Sequence, residues 1–365
     1  MIWLYSGFLA LVLILLSLDL GVFHRKAHVV SMREALGWSA FWIFLGLLFS
    51  GFIFLGYENH WLGLGLTPDM MGSVGTNIAG VGTVYNEGYS ATMKYLTGYL
   101  VEKSLSVDNI FVISMIFAFM AVPSIYQHRV LFWGILGALL MRGVMIAVGA
   151  AMMQRFSWII YVFGAFLIIT GIKMLLLKTQ HSDLNANIVV RLTRRLFPIT
   201  QRFHGQHFFV RAGSKASGEA SEPGMEILKD EVVEAAARGT LLATPLFLGL
   251  VLIEFTDLIF AVDSIPAIFA ITSDPFLVFT SNVFALLGLR SLYFALAGML
   301  EKFRYLKVSL AFVLVLIGIK MMSHTWLKKV LGGSFNLFVL ASVVLILAAG
   351  VIASLAAAKQ KNKWV

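Results

Sequence analysis

Eleven ionisable side chains lie inside otherwise apolar stretches of this sequence, and they are the residues best able to do chemistry. A charged side chain at the centre of a membrane helix costs about 2.5–3.5 kcal/mol on insertion scales, so each should face a protein interior or an aqueous cavity. Salt bridges between helices would explain the bases, but the acids outnumber them and cluster on two stretches, which favours a cation site. The acids are Asp19, Glu102, Asp108, Glu254, Asp257 and Asp263, and the bases are Lys103, Arg142, Lys173, Arg290 and Lys320.

The arrangement of these charges occurs twice. Glu102 and Asp108 are six residues apart in EKSLSVDNI, and Asp257 and Asp263 are six apart in DLIFAVDSI. After each pair comes a stretch with one arginine and then a stretch ending in GIKM, with arginine-to-lysine separations of 31 and 30 residues. Each unit has three helices, an odd number, so the second unit would start on the side of the membrane where the first one ends. The two units, joined by a long loop, would therefore be inverted relative to each other. Secondary transporters often have this architecture, with the site near the midplane between the repeats.

Helix geometry limits how these acids can meet. Positions six apart on an ideal helix point about 120° away from each other, so one straight helix would not aim both acids at one point. Pro266 removes the amide that would bond to the Val262 carbonyl, which permits a helix break beside Asp263. We therefore expect the helix carrying Asp257 and Asp263 to be interrupted. The alternative is that the acids form two separate sites.

The predicted ligands are hard oxygen donors, which suit Mg²⁺, Ca²⁺ or Mn²⁺. A proton could leave the crowded carboxylates as a cation enters. We expect Arg142, Arg290, Lys173 and Lys320 to balance the carboxylate charge, and Asp19 to lie on the ion or proton path. The predicted metal ligands are Glu102, Asp108, Asn109, Glu254, Asp257, Asp263 and Ser264.

Composition identifies the elements that must position these residues. Of 365 residues, 59% are hydrophobic and 13% are charged, and the mean hydropathy is +0.87, which excludes a typical soluble domain. Apolar runs of about 20 residues are long enough to cross a bilayer as helices, and they lack the alternation of barrel strands. We predict an all-α membrane protein with nine transmembrane helices. The nine stretches are Trp3–Phe23, Trp38–Tyr57, Tyr95–Met120, Val130–Met153, Trp158–Leu177, Leu241–Ile271, Phe276–Leu300, Val308–Met322 and Phe335–Ala356.

The basic residues predict the orientation. With the N-terminus outside, 19 Lys and Arg fall on the cytoplasmic side and 4 fall outside, which satisfies the positive-inside rule. The net charge of +9 is therefore a topology signal, and we expect no nucleic-acid partner. The absence of cysteine excludes disulfides, thiolate metal sites and thiol redox chemistry on this chain.

The predicted organisation has five parts: residues 1–94 with two helices, the first unit at 95–177, a cytoplasmic loop at 178–240, the second unit at 241–322, and a final helix with a basic tail at 323–365. In the loop, Ile188–Phe197 reads IVVRLTRRLF, which fits a helix on an anionic leaflet or an ordinary charged loop. His204 and His207 are more typical of surface residues than of metal ligands. The glycine-rich segment Gly63–Gly88 has no phosphate-binding spacing, so we assign it no chemistry.

At these residues the sequence resembles the TerC/Alx family of bacterial inner-membrane proteins. The matching stretches include LTGYLVEKSLSVDNIFV, HFFVRAGSK and ATPLFLGLVLIEFTDLIFAVDSIPAIFAITSDPF, followed by TSNVFALLGLRSLYFALAG and LIGIKM. The resemblance implies a nine-span inner-membrane protein whose activity is manganese export, tellurite resistance or pH-responsive redox modulation. It also implies that the acids of the metal path are Glu102, Asp108, Glu254, Asp257 and Asp263.

The leading hypothesis is therefore a divalent-cation exporter and not an enzyme, with Mn²⁺ as its substrate and no tightly bound cofactor. One alternative is a membrane scaffold in the tellurite or envelope stress response, in which the charges only hold helices together. Another is transport of a different ion, such as Ca²⁺. The expected partners are the ion and the lipid bilayer, and the sequence leaves the oligomeric state open.

Overall fold

The computed structural model describes residues 2–18, 31–71, 75–156, 158–176, 188–213, 230–296, 305–323 and 335–361. These residues are mostly helical, with two small antiparallel hairpins. The strands are β1 (Thr76–Ile78) paired with β2 (Gly82–Val84), and β3 (Phe209–Arg211) paired with β4 (Leu241–Ala243). The helices are α1 (Ile2–Leu18), α2 (Met32–Glu58), α3 (Gly88–Phe119), α4 (Ser124–Arg155), α5 (Ile159–Leu176), α6 (Ile188–Leu196), α7 (Glu231–Ala235), α8 (Pro245–Phe269), α9 (Pro275–Leu286), α10 (Leu289–Leu296), α11 (Leu306–Met322) and α12 (Phe335–Lys361).

Every predicted apolar stretch contains a helix, and the chain is an all-α membrane protein. Within the described residues, α2, α4, α5, α8 and α12 are long and apolar enough to cross a bilayer, and the pair α9–α10 makes a sixth if it is counted as one bent span. Helices α1 and α11 have 17 residues each, and α3 carries four charged side chains. A count of nine crossings therefore stays a prediction.

The helix break is not where the sequence analysis expected it. Helix α8 continues without interruption from Pro245 to Phe269, because Pro266 lies in its last turn, where little helix remains to be disrupted. The bend of 40° lies between α9 and α10 instead, at Gly288, whose φ is +80°. A side chain there would also overlap Trp42. The Lys103 ammonium donates to the carbonyl oxygens of Ala285 (3.1 Å) and Leu287 (3.2 Å), which compensates the backbone at the break.

The helices pack in pairs: α3 against α9, α4 against α8, and α5 against α11. Between α5 and α11, glycines let the two backbones come close together. A Cβ atom on Gly171 would lie 2.8 Å from the Ala311 carbonyl oxygen, and one on Gly318 would lie 2.8 Å from the Gly164 carbonyl oxygen. These pairings run in opposite directions along the two helices, so α5 and α11 are antiparallel.

Filling this glycine contact should separate the two helices. We expect Gly318→Leu to destabilise the protein by about 1–3 kcal/mol, the usual cost of overpacking, because the new side chain would overlap Ile168 and the Gly164 carbonyl. Thermal unfolding in detergent would measure the effect. Gly51→Leu in α2 is the matched control, since a Cβ there meets no described residue within 4 Å. Equal unfolding temperatures for the two variants would contradict the prediction.

Candidate cation-binding site

Arg142 lies at the centre of a buried polar cluster to which four helices contribute. Its Nε donates to Asp257 Oδ2 at 3.1 Å and its Nη2 donates to Asp257 Oδ1 at 2.9 Å, so α4 and α8 are joined by a bidentate pair. Its Nη1 donates to Glu102 of α3, and to Ser264 Oγ and Asn282 Oδ1 at 3.4 Å each. Arg142 and Glu102 are each 1% exposed. We call Glu102, Arg142, Asp257, Ser264 and Asn282 the central cluster.

The central cluster carries more negative than positive charge. With its groups ionised, two carboxylates face one guanidinium, which leaves one negative charge in excess. Within the described part of the chain, Glu102 Oε2 and Asn282 Nδ2 are buried without a hydrogen-bond partner. An ionised carboxylate oxygen is costly to bury without compensation. A cation or a proton at Glu102 would supply that compensation.

Glu254 adds a further carboxylate at the edge of the central cluster. It lies three residues before Asp257 on α8, and the two carboxylates interact electrostatically. Its side chain packs on Gly137 of α4, where a Cβ atom would overlap the carboxylate. Glu254 Oε2 is also buried without a hydrogen-bond partner among the residues described.

Asp108 and Asp263 form a second group of charges, which we call the lateral cluster together with Lys173 and Lys307. The two carboxylates lie within electrostatic range of each other, and both side chains are partly buried. Asp263 interacts with the Lys173 ammonium and the Thr170 hydroxyl, and Asp108 interacts with Lys307. Because α8 is not interrupted, Asp257 and Asp263 point to different clusters. The structure therefore favours the two-site alternative over one site at a helix break.

The other predicted residues are distributed around these two clusters. Asn109 of α3 and Arg290 of α10 are buried. The Lys320 ammonium donates to the carbonyl oxygens of Ala270 (2.7 Å) and Ile271 (3.4 Å) at the end of α8. Asp19 lies outside the described residues. Across the described ranges, no three Asp, Glu or His side chains gather closely enough to hold a metal ion, so the predicted ligands do not form one group.

Sequence reasoning missed a third buried cluster, two of whose residues, Asp69 and Asn86, lie in the glycine-rich segment to which we assigned no chemistry. Asp69 Oδ2 accepts hydrogen bonds from Lys94 Nζ (2.9 Å), Thr272 Oγ1 (2.5 Å) and Asn86 Nδ2 (3.2 Å). Asp274 joins the same network through Asn86. We call Asp69, Asn86, Lys94, Thr272, Ser273 and Asp274 the loop cluster; all six are 5% exposed or less.

The two carboxyl groups of the loop cluster have opposite pKa shifts. Burial alone would raise the pKa of Asp69, but the Lys94 ammonium and the hydrogen bonds from Thr272 and Ser273 outweigh it and hold that pKa below its usual range. For Asp274, burial and then the charge of Asp69 raise the pKa to about 6. Lys94 was counted as an outside cation, but it is a buried partner of Asp69. The sequence TSDP, with an N-cap aspartate before a proline at the first helical position, was the available signal for Asp274.

Asp274 should make stability depend on pH. Because its folded pKa exceeds the usual 3.8, the folded state favours the protonated form, and stability should fall as pH rises from about 4 through about 6. The difference between the usual pKa of 3.8 and the folded pKa of about 6 corresponds to roughly 3 kcal/mol in the free energy of unfolding. We expect Asp274→Asn to reduce this decline, as measured by unfolding temperature between pH 4 and pH 8. A variant profile parallel to the wild type would contradict the assignment, and Glu87→Gln, at an exposed carboxylate, is the control.

Comparison with known proteins is consistent with this architecture. Residues 87–363 match the model of the integral membrane protein TerC family. An uncharacterized membrane protein of Myxococcus xanthus is 45% identical over 348 residues, covering 93% of this chain and 92% of its own. The protein Alx of Salmonella typhi is 43% identical over 320 residues (87% and 85% coverage), and Alx of Escherichia coli K12 is 40% identical over 350 residues (93% of each chain).

Both Alx proteins are named as candidate membrane-bound redox modulators. No solved structure matches this chain. The family match covers most of the chain, and the relatives are similar over nearly their whole length. The chain is therefore a multi-pass membrane protein that belongs to the TerC family.

Proposed function

We propose that this protein transports a divalent cation, with Mn²⁺ as its substrate, across the bacterial inner membrane. The observation that carries the proposal is the excess negative charge of the central cluster. Glu102 and Asp257 both bind Arg142, and Glu102 Oε2 is buried with no hydrogen-bond partner among the residues that the structure describes. A divalent ion would compensate this charge, and protonation would do so when the ion has left. The same two states allow ion movement to be coupled to proton movement.

The proposal includes an inverted repeat of residues 95–177 and 241–322, with nine crossings and the N-terminus outside. The packing of the GIKM helices supports it. Gly171 approaches Ala311, and Gly318 approaches Gly164. The glycine of each GIKM motif thus faces the residue that lies seven positions before the glycine of the other motif. A two-fold relation between the units requires this pattern. The first helix of each unit also packs against the second helix of the other unit: α3 packs on α9, and α8 packs on α4.

The donor chemistry favours a hard cation. The central cluster offers carboxylate, hydroxyl and amide oxygens, and the chain has no thiolate to attract softer metals. Among hard divalent ions, the choice of Mn²⁺ and of export rests on the family resemblance. The relatives named as redox modulators do not change this proposal, because a chain without cysteine has no thiol redox chemistry.

Flux measurements in liposomes test the proposal directly. The full chain is reconstituted with a Mn²⁺-sensitive dye and a pH dye inside, and Mn²⁺, Ca²⁺ or Mg²⁺ is added outside in separate runs. We expect Mn²⁺ to enter faster than in protein-free liposomes and the internal pH to change only when the ion moves. Ca²⁺ flux without Mn²⁺ flux would show that the substrate is Ca²⁺ and not Mn²⁺. No divalent flux in vesicles containing both orientations would reject transport.

A membrane scaffold is the second candidate, and the four-helix contact around Arg142 is the observation that favours it. Thermal unfolding with and without Mn²⁺ separates the two functions. A ligand at 100 times its dissociation constant stabilises a folded protein by about 2.7 kcal/mol. The transporter should therefore unfold at a higher temperature in Mn²⁺, and a chelator should reverse the shift. A scaffold without an ion site should show no shift.

A further inference from the structure

Helix α6 has three distinct faces. Val189, Val190 and Thr193 are buried against the rest of the protein. Ile188, Leu192 and Leu196 are 74%, 56% and 65% exposed, and they form one apolar stripe because they are four residues apart. Three exposed arginines occupy the remaining face: Arg191, Arg194 and Arg195.

The order of these faces matches a helix that lies in a membrane surface. At about 100° per residue, the exposed apolar stripe adjoins the buried face, and the arginines occupy the opposite side. The helix is therefore amphipathic, and its apolar side has two parts: the buried face packs on the protein, and the exposed stripe beside it is not covered by the protein. Water would leave these large aliphatic side chains exposed, whereas the boundary between headgroups and acyl chains would cover them.

Neighbouring residues extend the same surface. Phe197 and Phe209 both contact the ring of Phe247, with centroids 5.3 and 4.5 Å away, and remain 39% and 38% exposed. Leu241 of β4 is 54% exposed. We call the stripe of α6 together with Phe197, Phe209 and Leu241 the interfacial patch. Aromatic and aliphatic side chains beside arginines are typical of membrane-surface segments.

The position of α6 places this patch at a membrane boundary. Val189 and Val190 belong to the same buried apolar cluster as Leu248 and Leu252, which lie in the first two turns of α8. Since α8 is long and apolar enough to cross a bilayer, its first residues mark where the membrane begins. A bilayer that begins at this level would have its lipid phosphates beside the arginines of α6.

We propose that α6 binds anionic phospholipids, with the interfacial patch in the acyl boundary and Arg191, Arg194 and Arg195 at the lipid phosphates. Anionic leaflets attract such basic segments. Charge complementarity selects anionic over zwitterionic lipid, and the apolar stripe selects a lipid over a soluble anion. Because α6 packs on the start of α8, the bound lipid also fixes the helix that carries Asp257 and Asp263.

The position of the stripe is tested by a label at a single cysteine, which the cysteine-free chain allows without other changes. Leu192→Cys and Arg194→Cys are each labelled with an environment-sensitive fluorophore in the full chain, in phosphatidylcholine–phosphatidylglycerol vesicles. We expect spin labels on the lipid acyl chains to quench the Leu192 label at least about twofold more than the Arg194 label. Equal and weak quenching at both positions would overturn the proposal. A shielded but unquenched Leu192 label would also overturn it, because another protein chain would then cover the stripe.

Lipid selectivity is tested by native mass spectrometry of the protein released from nanodiscs of the same two lipids. We expect bound phosphatidylglycerol to exceed phosphatidylcholine several-fold, and the triple variant Arg191→Gln, Arg194→Gln, Arg195→Gln to lose that preference. Arg155→Gln, at an exposed arginine at the end of α4, should keep it. Unchanged selectivity in the triple variant would reject the assigned arginines. Neither measurement depends on Mn²⁺ flux, so the outcome is independent of the proposed transport function.

Discussion

The double variant Asp108→Asn, Asp263→Asn is expected to abolish divalent-cation flux at normal protein abundance. The two carboxylates lie within electrostatic range of each other, on helices from opposite halves of the chain, beside Lys173 and Lys307. Replacing both acids by amides of the same shape would leave only cations in the lateral cluster, which would repel a divalent ion. Loss of supporting groups alone lowers metal affinity by about 10–100-fold, so loss of two charged ligands should lower flux more than about 100-fold.

The folded state should tolerate this double change. Both acids are only partly buried, and the amides keep the shape of the carboxylates, so the change neither opens a cavity nor overpacks the site. Flux in liposomes, at protein levels matched by immunoblot, is the measurement, and Glu87→Gln is the control for loss of an exposed carboxylate. Wild-type flux in the double variant would show that the ion path does not require the carboxylates of the lateral cluster. Normal flux per molecule with strongly reduced abundance would instead support a purely structural role, as a scaffold requires.

The sequence predicted the helices and singled out the acids of the central and lateral clusters because both produce strong patterns. A carboxylate within an apolar run is unusual enough to be noticed without a structure, and Glu102, Asp108, Asp257 and Asp263 were found in this way. Their division into two clusters was only one of two alternatives. The choice depended on whether α8 is interrupted, and Pro266 was an ambiguous guide because its effect depends on how much helix follows it.

The loop cluster shows why other parts could not be predicted. Asp69 is a single acid in a glycine-rich segment, and its importance comes from partners up to 204 residues away in sequence. Lys94 fits an outside cation by sequence, but tertiary packing buries it beside Asp69. Similarly, Gly288 could be recognised as a break only once its positive φ and its contact with Trp42 were known. Local patterns carry no information about such long-range contacts.

Replacing Arg142 by Met is expected to destabilise the protein by about 3–5 kcal/mol, the usual cost of leaving a buried charge without its partner. The variant would leave Glu102 and Asp257 facing each other in a site where Arg142 and Glu102 are each 1% exposed. Arg142→Lys should recover only part of the loss, because an ammonium cannot reproduce the bidentate contact with Asp257 together with the contact to Glu102. Arg155→Met, at an exposed arginine of the same helix, is the control.

The neutral triple variant Glu102→Gln, Arg142→Met, Asp257→Asn separates the structural role of the central cluster from its role in transport. Replacing a whole buried ion group by neutral residues is often neutral or stabilising, so this variant should unfold near the wild-type temperature. It should nevertheless have lost Mn²⁺ flux, because none of the five residues of the central cluster then carries a charge to bind the ion. If Arg142→Met unfolds at the wild-type temperature, Arg142 does not neutralise these acids. If the triple variant keeps its flux, the central cluster only holds α3, α4, α8 and α9 together, and the ion path must run through the lateral cluster alone.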